Sequence, residues 1–151
     1  MSAMFHDSKI VFDCDGVLLD FVTAFNGFVE VNGGKYSTDP PEYSFDWCEN
    51  PDRIKSLLND YLQEKVNAPI MDETLPRFME KLMENNHIYI ITNYPFERAR
   101  VNNLISVGIF PKRHYHEIYC CKSEKEKLNV LKDISPDYYF EDCPKFIEKV
   151  C

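Results

Sequence analysis

One short segment, residues 9–20, constrains the fold of this chain more strongly than any other. It opens with the apolar run 10–12, which is typical of a buried strand. Asp13 and Asp15 follow at once, and Gly16 after them lets the backbone turn away sharply. Open α/β sheets place their ligand crevice at the carboxyl ends of the strands. The pattern therefore favours an α/β fold with two acids beside such a crevice.

The two carboxylates after the apolar run need a partner. Two acids separated by one residue repel each other, and both lose hydration beside a buried strand. A hard divalent cation with oxygen ligands satisfies both, so Asp13 and Asp15 are candidate metal ligands. The alternative is an acidic turn after an edge strand, because Asp and Gly are common turn residues.

Composition limits the kinds of partner that the protein can bind and the cell compartment in which we expect it. The chain has 151 residues and a formal net charge of −8, which opposes binding to nucleic acid polymers and anionic membranes. Its longest apolar runs have the length of strands, and residues 1–9 lack the apolar stretch of a signal peptide. The six cysteines include no Cys-x-x-Cys pair, so we expect reduced thiols in a cytoplasmic protein. The oligomeric state stays open.

Hydrophobic periodicity predicts strands that alternate with helices. After the first strand, the predicted strands cover residues 87–91, 117–120 and 137–140. Such alternation implies a parallel sheet with right-handed crossovers. Residues 20–70 have a mostly helical pattern, so we predict a small helical insert there. The core domain then comprises residues 1–19 and 71–151.

Capping residues predict where several helices begin and end. Asn50 before Pro51 is typical of a helix start, and Ser123 with Glu126 forms a capping box. Asn85 or Asn86 is expected to adopt the left-handed conformation at the end of the helix before the second strand.

A polar pair follows the second predicted strand. Thr92 and Asn93 offer a hydroxyl and a backbone N–H close to a predicted helix N-terminus. These groups form a good cradle for an anion. The alternative is that either residue is an ordinary helix cap.

Three lysines lie near the start of the helix predicted after the third strand. Lys122, Lys125 and Lys127 place positive charge where the helix dipole disfavours it. A bound phosphate and a neighbouring carboxylate would stabilise a lysine there. The alternative for each of them is a solvated helix end.

A second acidic pair, Glu141 and Asp142, follows the fourth predicted strand. This pair repeats the problem that Asp13 and Asp15 pose, because two adjacent acids at a strand end repel each other. Paired acids at the ends of two strands indicate one metal site built from both.

These four features together resemble the four motifs of the haloacid dehalogenase superfamily. Residues 13–16 are similar to its first motif, residues 90–93 to its second, a lysine of the 122–127 group to its third, and residues 140–142 to its fourth. The motifs occur in the expected order, and the resemblance covers essentially the whole chain. It implies a Rossmann-like parallel sheet flanked by helices, with residues 20–70 as a small helical cap inserted after the first strand.

The resemblance also implies Mg²⁺-dependent chemistry through an aspartyl-phosphate. Asp13 would be the nucleophile, and Asp15 the general acid that then activates water as a base. Thr92 and the backbone N–H of Asn93 would hold phosphoryl oxygens.

The remaining site residues follow from the same resemblance. Lys125 would neutralise the phosphoryl group and Asp13, with Lys122 as the alternative lysine. The implied Mg²⁺ ligands are Asp13, the backbone carbonyl of Asp15, Asp142 and, as an extra ligand, Glu141.

The expected function is a Mg²⁺-dependent phosphatase acting on a small phosphorylated metabolite. Asp15 favours this branch, because dehalogenases of the superfamily generally lack the second acid. The cap length is similar to that of small deoxyribonucleotidases, so a nucleoside monophosphate is the first substrate to test. The alternatives are a phosphomutase, a non-catalytic phosphate-binding or partner-binding module, and a polynucleotide 3′-phosphatase, which the net charge disfavours.

Four aromatic residues in the insert have two interpretations. They are Tyr36, Tyr43, Phe45 and Trp47. Their rings could stack on a base or a sugar, or they could fill the core of a small helical domain.

Overall fold

The computed structural model describes residues 5–37 and 45–150, and the chain divides into two compact units. The larger unit comprises Met1–Leu19 and Ile70–Cys151, and the smaller one comprises Asp20–Pro69. The larger unit contains a sheet with flanking helices, whereas the smaller one is built around two helices.

The larger unit is built on a four-stranded parallel sheet. Its strands are β1 (Lys9–Asp13), β2 (His87–Thr92), β3 (Glu117–Cys120) and β4 (Tyr138–Phe140). Their order is β3-β2-β1-β4, so the α/β fold expected from the sequence is confirmed. Because the chain places β2 on one side of β1 and β4 on the other, the carboxyl end of β1 lies at a topological switch point.

The register of β1 brings the acidic residues of two strands to one edge. Val11 and its neighbour Ile10 are fully buried, as expected for a central strand covered on both faces. Phe12 pairs with Phe140 in β4, and their rings stack with centroids 5.0 Å apart. The residues that follow this pair therefore leave the sheet side by side.

Six helices complete the described secondary structure. They are α1 (Phe21–Val31), α2 (Pro51–Gln63), α3 (Leu75–Leu82), α4 (Glu97–Ser106), α5 (Glu124–Ile134) and α6 (Pro144–Val150). At the start of α5, the hydroxyl of Ser123 accepts a hydrogen bond from the backbone N–H of Glu126 (3.1 Å). The Glu126 carboxylate accepts from the N–H of Lys122 (3.0 Å), one residue earlier than in a standard capping box. None of the described helices combines the length and apolar character that crossing a bilayer requires.

One core cluster of the larger unit lies between the sheet and its last two helices. Its buried members are Val11, Ile91, Cys121, Leu131, Ile134 and Phe146. These residues come from strands or their ends and from α5 and α6, so the apolar stripe of α5 fixes the rotation of that helix about its axis. The cysteines of the described residues, Cys14, Cys48, Cys120, Cys121 and Cys143, are free thiols.

The smaller unit has its own core between α1 and α2. Its buried members are Phe25, Val29, Cys48, Ile54, Leu57 and Tyr61. Asn50 accepts a hydrogen bond from the backbone N–H of Arg53 (3.3 Å), which confirms the predicted start of α2.

The aromatic residues of the insert pack on that core. The ring of Tyr36 lies 4.9 Å from that of Phe25 and 5.4 Å from that of Trp47. The ring of Phe45 lies 6.2 Å from that of Phe25 and 6.0 Å from that of Tyr36. These three residues therefore contribute to the core of the smaller unit, and Tyr43 lies outside the described residues.

The end of α3 differs from the sequence prediction. Neither Asn85 nor Asn86 has a positive φ, so the predicted left-handed cap is wrong. Asn86 is instead buried, and its amide donates to the carbonyls of Phe5 and Leu82, both at 3.0 Å. Its oxygen accepts from the N–H of Ser8 (3.1 Å). One buried amide that satisfies three backbone groups thus joins the segment before β1 to the end of α3.

Replacing Asn86 by Ala should lower the free energy of unfolding by ~1–3 kcal/mol, because buried backbone groups lose their partners. The control is Asn85→Ala, since Asn85 contacts Asp7 through its backbone carbonyl, which the substitution retains. Urea denaturation followed by circular dichroism measures both variants. Equal midpoints for the two variants would contradict the assigned role of Asn86.

Candidate active site

The loop after β1 folds back on itself through backbone hydrogen bonds. The carbonyl of Cys14 accepts from the N–H groups of Val17 (3.3 Å), Leu18 (2.8 Å) and Leu19 (2.9 Å). The N–H of Gly16 donates to the carbonyl of Leu19 (2.8 Å). This closed turn fixes the backbone of the two acids on either side of Cys14.

Gly16 allows the end of β4 to approach this turn closely. Its φ of +82° is in the left-handed region that glycine adopts without strain. A Cβ at this position would lie 1.8 Å from Oδ2 of Asp142. The missing side chain of Gly16 therefore makes room for the Asp142 carboxylate.

Three carboxylates converge at the ends of β1 and β4. Asp13, Glu141 and Asp142 each offer an oxygen, and these atoms lie within 4.8 Å of one another. An all-oxygen donor set of this size suits a hard cation such as Mg²⁺. The acidic segments that the sequence analysis singled out thus meet at the switch point of the sheet.

A buried lysine contacts two of these acids. The Nζ atom of Lys127 donates to Oδ1 of Asp13 (3.0 Å) and to Oε2 of Glu141 (2.8 Å). It also lies 4.5 Å from the centre of the Phe146 ring, and the side chain is only 5% exposed. Burial lowers the pKa of Lys127, but the two carboxylates outweigh burial and raise it. Lys127 therefore stays charged.

The structure corrects the sequence prediction for the lysine. Lys125 and Lys122 are exposed, whereas Lys127 contacts Asp13. The reason is the rotation of α5 about its axis. Lys127, Leu131 and Ile134 are its buried residues, and their spacing is that of one helical face. This spacing was visible in the sequence and could have identified Lys127.

The Glu141 carboxylate contacts both Lys127 and the backbone turn after β4. Its Oε2 atom also accepts a short hydrogen bond from the Tyr139 hydroxyl. Its Oε1 atom accepts from the N–H groups of Asp142 (3.1 Å) and Cys143 (3.3 Å). Burial would raise the pKa of Glu141, but hydrogen bonds from its surroundings outweigh burial and lower it to about 2. Both oxygens of Glu141 are thus already engaged.

Asp13 lies in the most unfavourable electrostatic position of the site. Burial raises the pKa of its carboxyl well above the usual range, Lys127 opposes this rise, and Glu141 adds to it. One ammonium group therefore does not compensate three clustered carboxylates. A divalent cation between Asp13 and Asp142 would supply the missing positive charge.

Thr92 brings an unpaired hydroxyl to the same edge of the sheet. In the register of β1 and β2, Asp13 pairs with Ile91, so Thr92 lies one residue beyond that pair. Its Oγ1 atom is buried and has no hydrogen-bond partner within residues 5–37 and 45–150. Helix α4 starts five residues later with Phe96 as its cap, so the alternative that Thr92 caps the helix is wrong. Asn93 is exposed beside it.

Sequence patterns did not predict the partner of Asp15. Arg100, on α4, donates from Nη2 to Oδ2 of Asp15 (3.0 Å). Its guanidinium also lies 4.1 Å from the centre of the Tyr94 ring. Arg98 and Arg100 have similar sequence surroundings. The one signal for the buried arginine is its spacing of four residues from Leu104, which is also buried on α4.

The sequence matches no protein-family model and no curated protein. Solved structures nevertheless share the fold. A haloacid dehalogenase superfamily hydrolase of subfamily IA from Geobacter sulfurreducens aligns with a TM-score of 0.56 and 17% identity, over 95% of this chain and 85% of its own. A candidate haloacid dehalogenase-like hydrolase from Bacteroides fragilis aligns with a TM-score of 0.60 and 16% identity, over 95% and 82%.

A third structure is a candidate beta-phosphoglucomutase from Thermotoga maritima. It aligns with a TM-score of 0.52 and 14% identity, over 95% of this chain and 80% of its own. At such identities the similarity establishes the fold, which is that of haloacid dehalogenase superfamily hydrolases.

Replacing Lys127 by Met should lower the free energy of unfolding by ~3–5 kcal/mol, because two buried carboxylates lose their cation. Lys125→Met removes the same charge from the exposed side of α5, and its effect should stay within ~0.5 kcal/mol. Urea denaturation in the presence of EDTA makes the comparison without contribution from divalent cations. Similar losses in both variants would refute the assignment of Lys127 to the site.

Replacing Gly16 by Ala should weaken Mg²⁺ binding by ~10–100-fold, because the new methyl group displaces the Asp142 carboxylate. Gly33→Ala is the matched control. The φ of Gly33 is +79°, so the alanine there creates backbone strain similar to that at position 16. No atom lies within 4 Å of the methyl group added at position 33. Isothermal titration calorimetry with MgCl₂ measures both. Unchanged affinity in Gly16→Ala would show that Asp142 is not a ligand.

Proposed function

We propose that this protein is a Mg²⁺-dependent phosphatase that hydrolyses a small phosphomonoester through an aspartyl-phosphate on Asp13. The observation that carries the proposal is the meeting of Asp13, Asp142 and Lys127 at the carboxyl end of β1. This arrangement occurs on a fold shared with haloacid dehalogenase superfamily hydrolases. Phosphoryl transfer depends mainly on positioning and charge stabilisation, and both are available here.

The donor set fits Mg²⁺. Asp13, Asp142 and the backbone carbonyl of Asp15 are the proposed ligands, since both oxygens of Glu141 already accept hydrogen bonds. When bound, the ion would offset negative charge on the nucleophile and polarise the phosphoryl oxygens. Glu141 instead holds Lys127 beside Asp13.

In the first step, a carboxylate oxygen of Asp13 attacks phosphorus, and the bond from phosphorus to the ester oxygen breaks. Asp15, protonated at this stage, gives its proton to the departing oxygen and becomes a carboxylate. Lys127 holds Oδ1 of Asp13, and the unpaired Thr92 hydroxyl and the N–H of Asn93 donate to phosphoryl oxygens.

In the second step, the Asp15 carboxylate takes a proton from a water molecule whose oxygen attacks phosphorus. The bond from phosphorus to Asp13 breaks, and inorganic phosphate leaves. Asp13 returns as a carboxylate and Asp15 as an acid, so the cycle closes without a further reactant.

The substrate class is a small phosphorylated metabolite, with nucleoside monophosphates tested first. The net charge of −8 disfavours a polynucleotide, whose backbone the protein repels at long range. A screen of nucleoside monophosphates and sugar phosphates, with Mg²⁺ or with EDTA, should show phosphate release that depends on the metal.

Replacing Asp13 by Asn should abolish this phosphate release, because an amide cannot form the covalent intermediate. Asp15→Asn should slow turnover by ~10²–10⁴-fold through loss of the positioned acid. Asp133→Asn makes the same charge change on the exposed surface of α5 and should leave activity unchanged. Wild-type activity in Asp13→Asn would refute the mechanism.

Other outcomes of the screen would replace the proposal. Labelled phosphate that passes from the enzyme to a second position of a sugar phosphate would identify a phosphomutase. Absence of Mg²⁺-dependent hydrolysis across the panel would favour a non-catalytic phosphate-binding module. Activity on polynucleotide ends that falls steeply with added salt would identify a polynucleotide phosphatase.

A further inference from the structure

We propose that Arg100 is a positioning residue that holds Asp15 in place for proton transfer to the leaving group. The inference deepens the proposed function and rests on it. Arg100 lies on α4, whereas the acids and the lysine of the site belong to other elements, and none of the steps above uses it. Its guanidinium nevertheless donates a hydrogen bond to Asp15, the proposed general acid.

The exposure of the two partners indicates which of them meets the substrate. The Arg100 side chain is 5% exposed, whereas that of Asp15 is 31% exposed. A phosphomonoester in the crevice can therefore reach Asp15 but not the guanidinium. Arg100 acts on the reaction through Asp15 rather than by touching the substrate.

Tyr94 restricts the orientation of Arg100. Cζ of the guanidinium lies 4.1 Å from the ring centre of Tyr94, which is itself buried and packs edge-on against Phe96 at 5.7 Å. A desolvated cation over an aromatic face is attracted by the negative charge of the ring face. The guanidinium is planar and presents its N–H donors in that plane, and its Nη2 meets Asp15.

The hydrogen bond engages one oxygen of Asp15 and leaves the other for chemistry. Nη2 donates to Oδ2, which can accept this bond whether the carboxyl group is ionised or carries its proton on Oδ1. General acid catalysis requires the reacting oxygen to stay within hydrogen-bond reach of the leaving oxygen. Anchoring Oδ2 restricts rotation of the carboxyl group, so Oδ1 keeps one direction in both steps.

If Arg100 positions the acid, the effect of replacing it on the rate should depend on how much the leaving group needs a proton. A purely structural ion pair predicts the same effect for every leaving group. Phenyl phosphate releases a phenolate whose conjugate acid has a pKa of about 10, so its departure needs a proton. 2,4-Dinitrophenyl phosphate releases a stabilised anion that departs without one. The constant kcat/KM covers the steps through loss of the leaving group, so it reports on this proton transfer.

Arg100→Met should lower kcat/KM for phenyl phosphate by ~10–100-fold and change that for 2,4-dinitrophenyl phosphate little. Arg98→Met, on the exposed face of the same helix, should leave both constants unchanged. In a protein that already carries Asp15→Asn, adding Arg100→Met should cause no further loss, because the two residues act as one unit.

Arg100→Lys keeps the charge but lacks the planar fork, and it should show a smaller loss confined to phenyl phosphate. If Arg100→Met does not fold by circular dichroism, the lysine variant decides the question with the same two substrates. Equal losses on both substrates, or no loss on phenyl phosphate, would overturn the role of Arg100. Absence of Mg²⁺-dependent hydrolysis of both esters by the unmodified protein would instead overturn the proposed function, and this inference with it.

Discussion

The ion-pair cluster around Lys127 is the interaction on which the site depends. A lysine inside an α/β core is costly, and two buried carboxylates would be costlier still. Together they are tolerated because Asp13 and Glu141 lie within 3.0 Å of the same ammonium group. These atoms meet only if α5 has the correct rotation about its axis and if β1 and β4 end side by side. The packing of the core therefore determines whether the charged groups of the site can meet.

Much of the fold follows from local signals in the chain. The apolar runs predicted all four strands, and Asn50 and Ser123 predicted the starts of two helices, because periodicity and capping act over a few residues. The acids at 13, 141 and 142 were also visible, since charges after a buried strand conflict with its burial. Asn86 was assigned wrongly because its partners, Phe5 and Ser8, come from a distant segment.

The errors in the site have a similar cause. Choosing among the lysines required the rotation of α5 about its axis, which Leu131 and Ile134 determine by packing against the sheet. The ion pair of Arg100 joins residues 85 positions apart, and no local sequence pattern links the two. Local chemistry thus indicates which residue types a site contains, whereas tertiary packing decides which copy of each type reaches it.

The pairing of Lys127 with Asp13, 114 positions away along the chain, has a consequence for synthesis in the cell. While the chain emerges from the ribosome, the early aspartate has no ammonium group to meet until α5 follows. Until β4 and the two residues after it also emerge, the carboxylates of Glu141 and Asp142 are missing. The candidate site is therefore completed late in synthesis, and a nascent or truncated chain that stops before β4 would lack two of its three carboxylates.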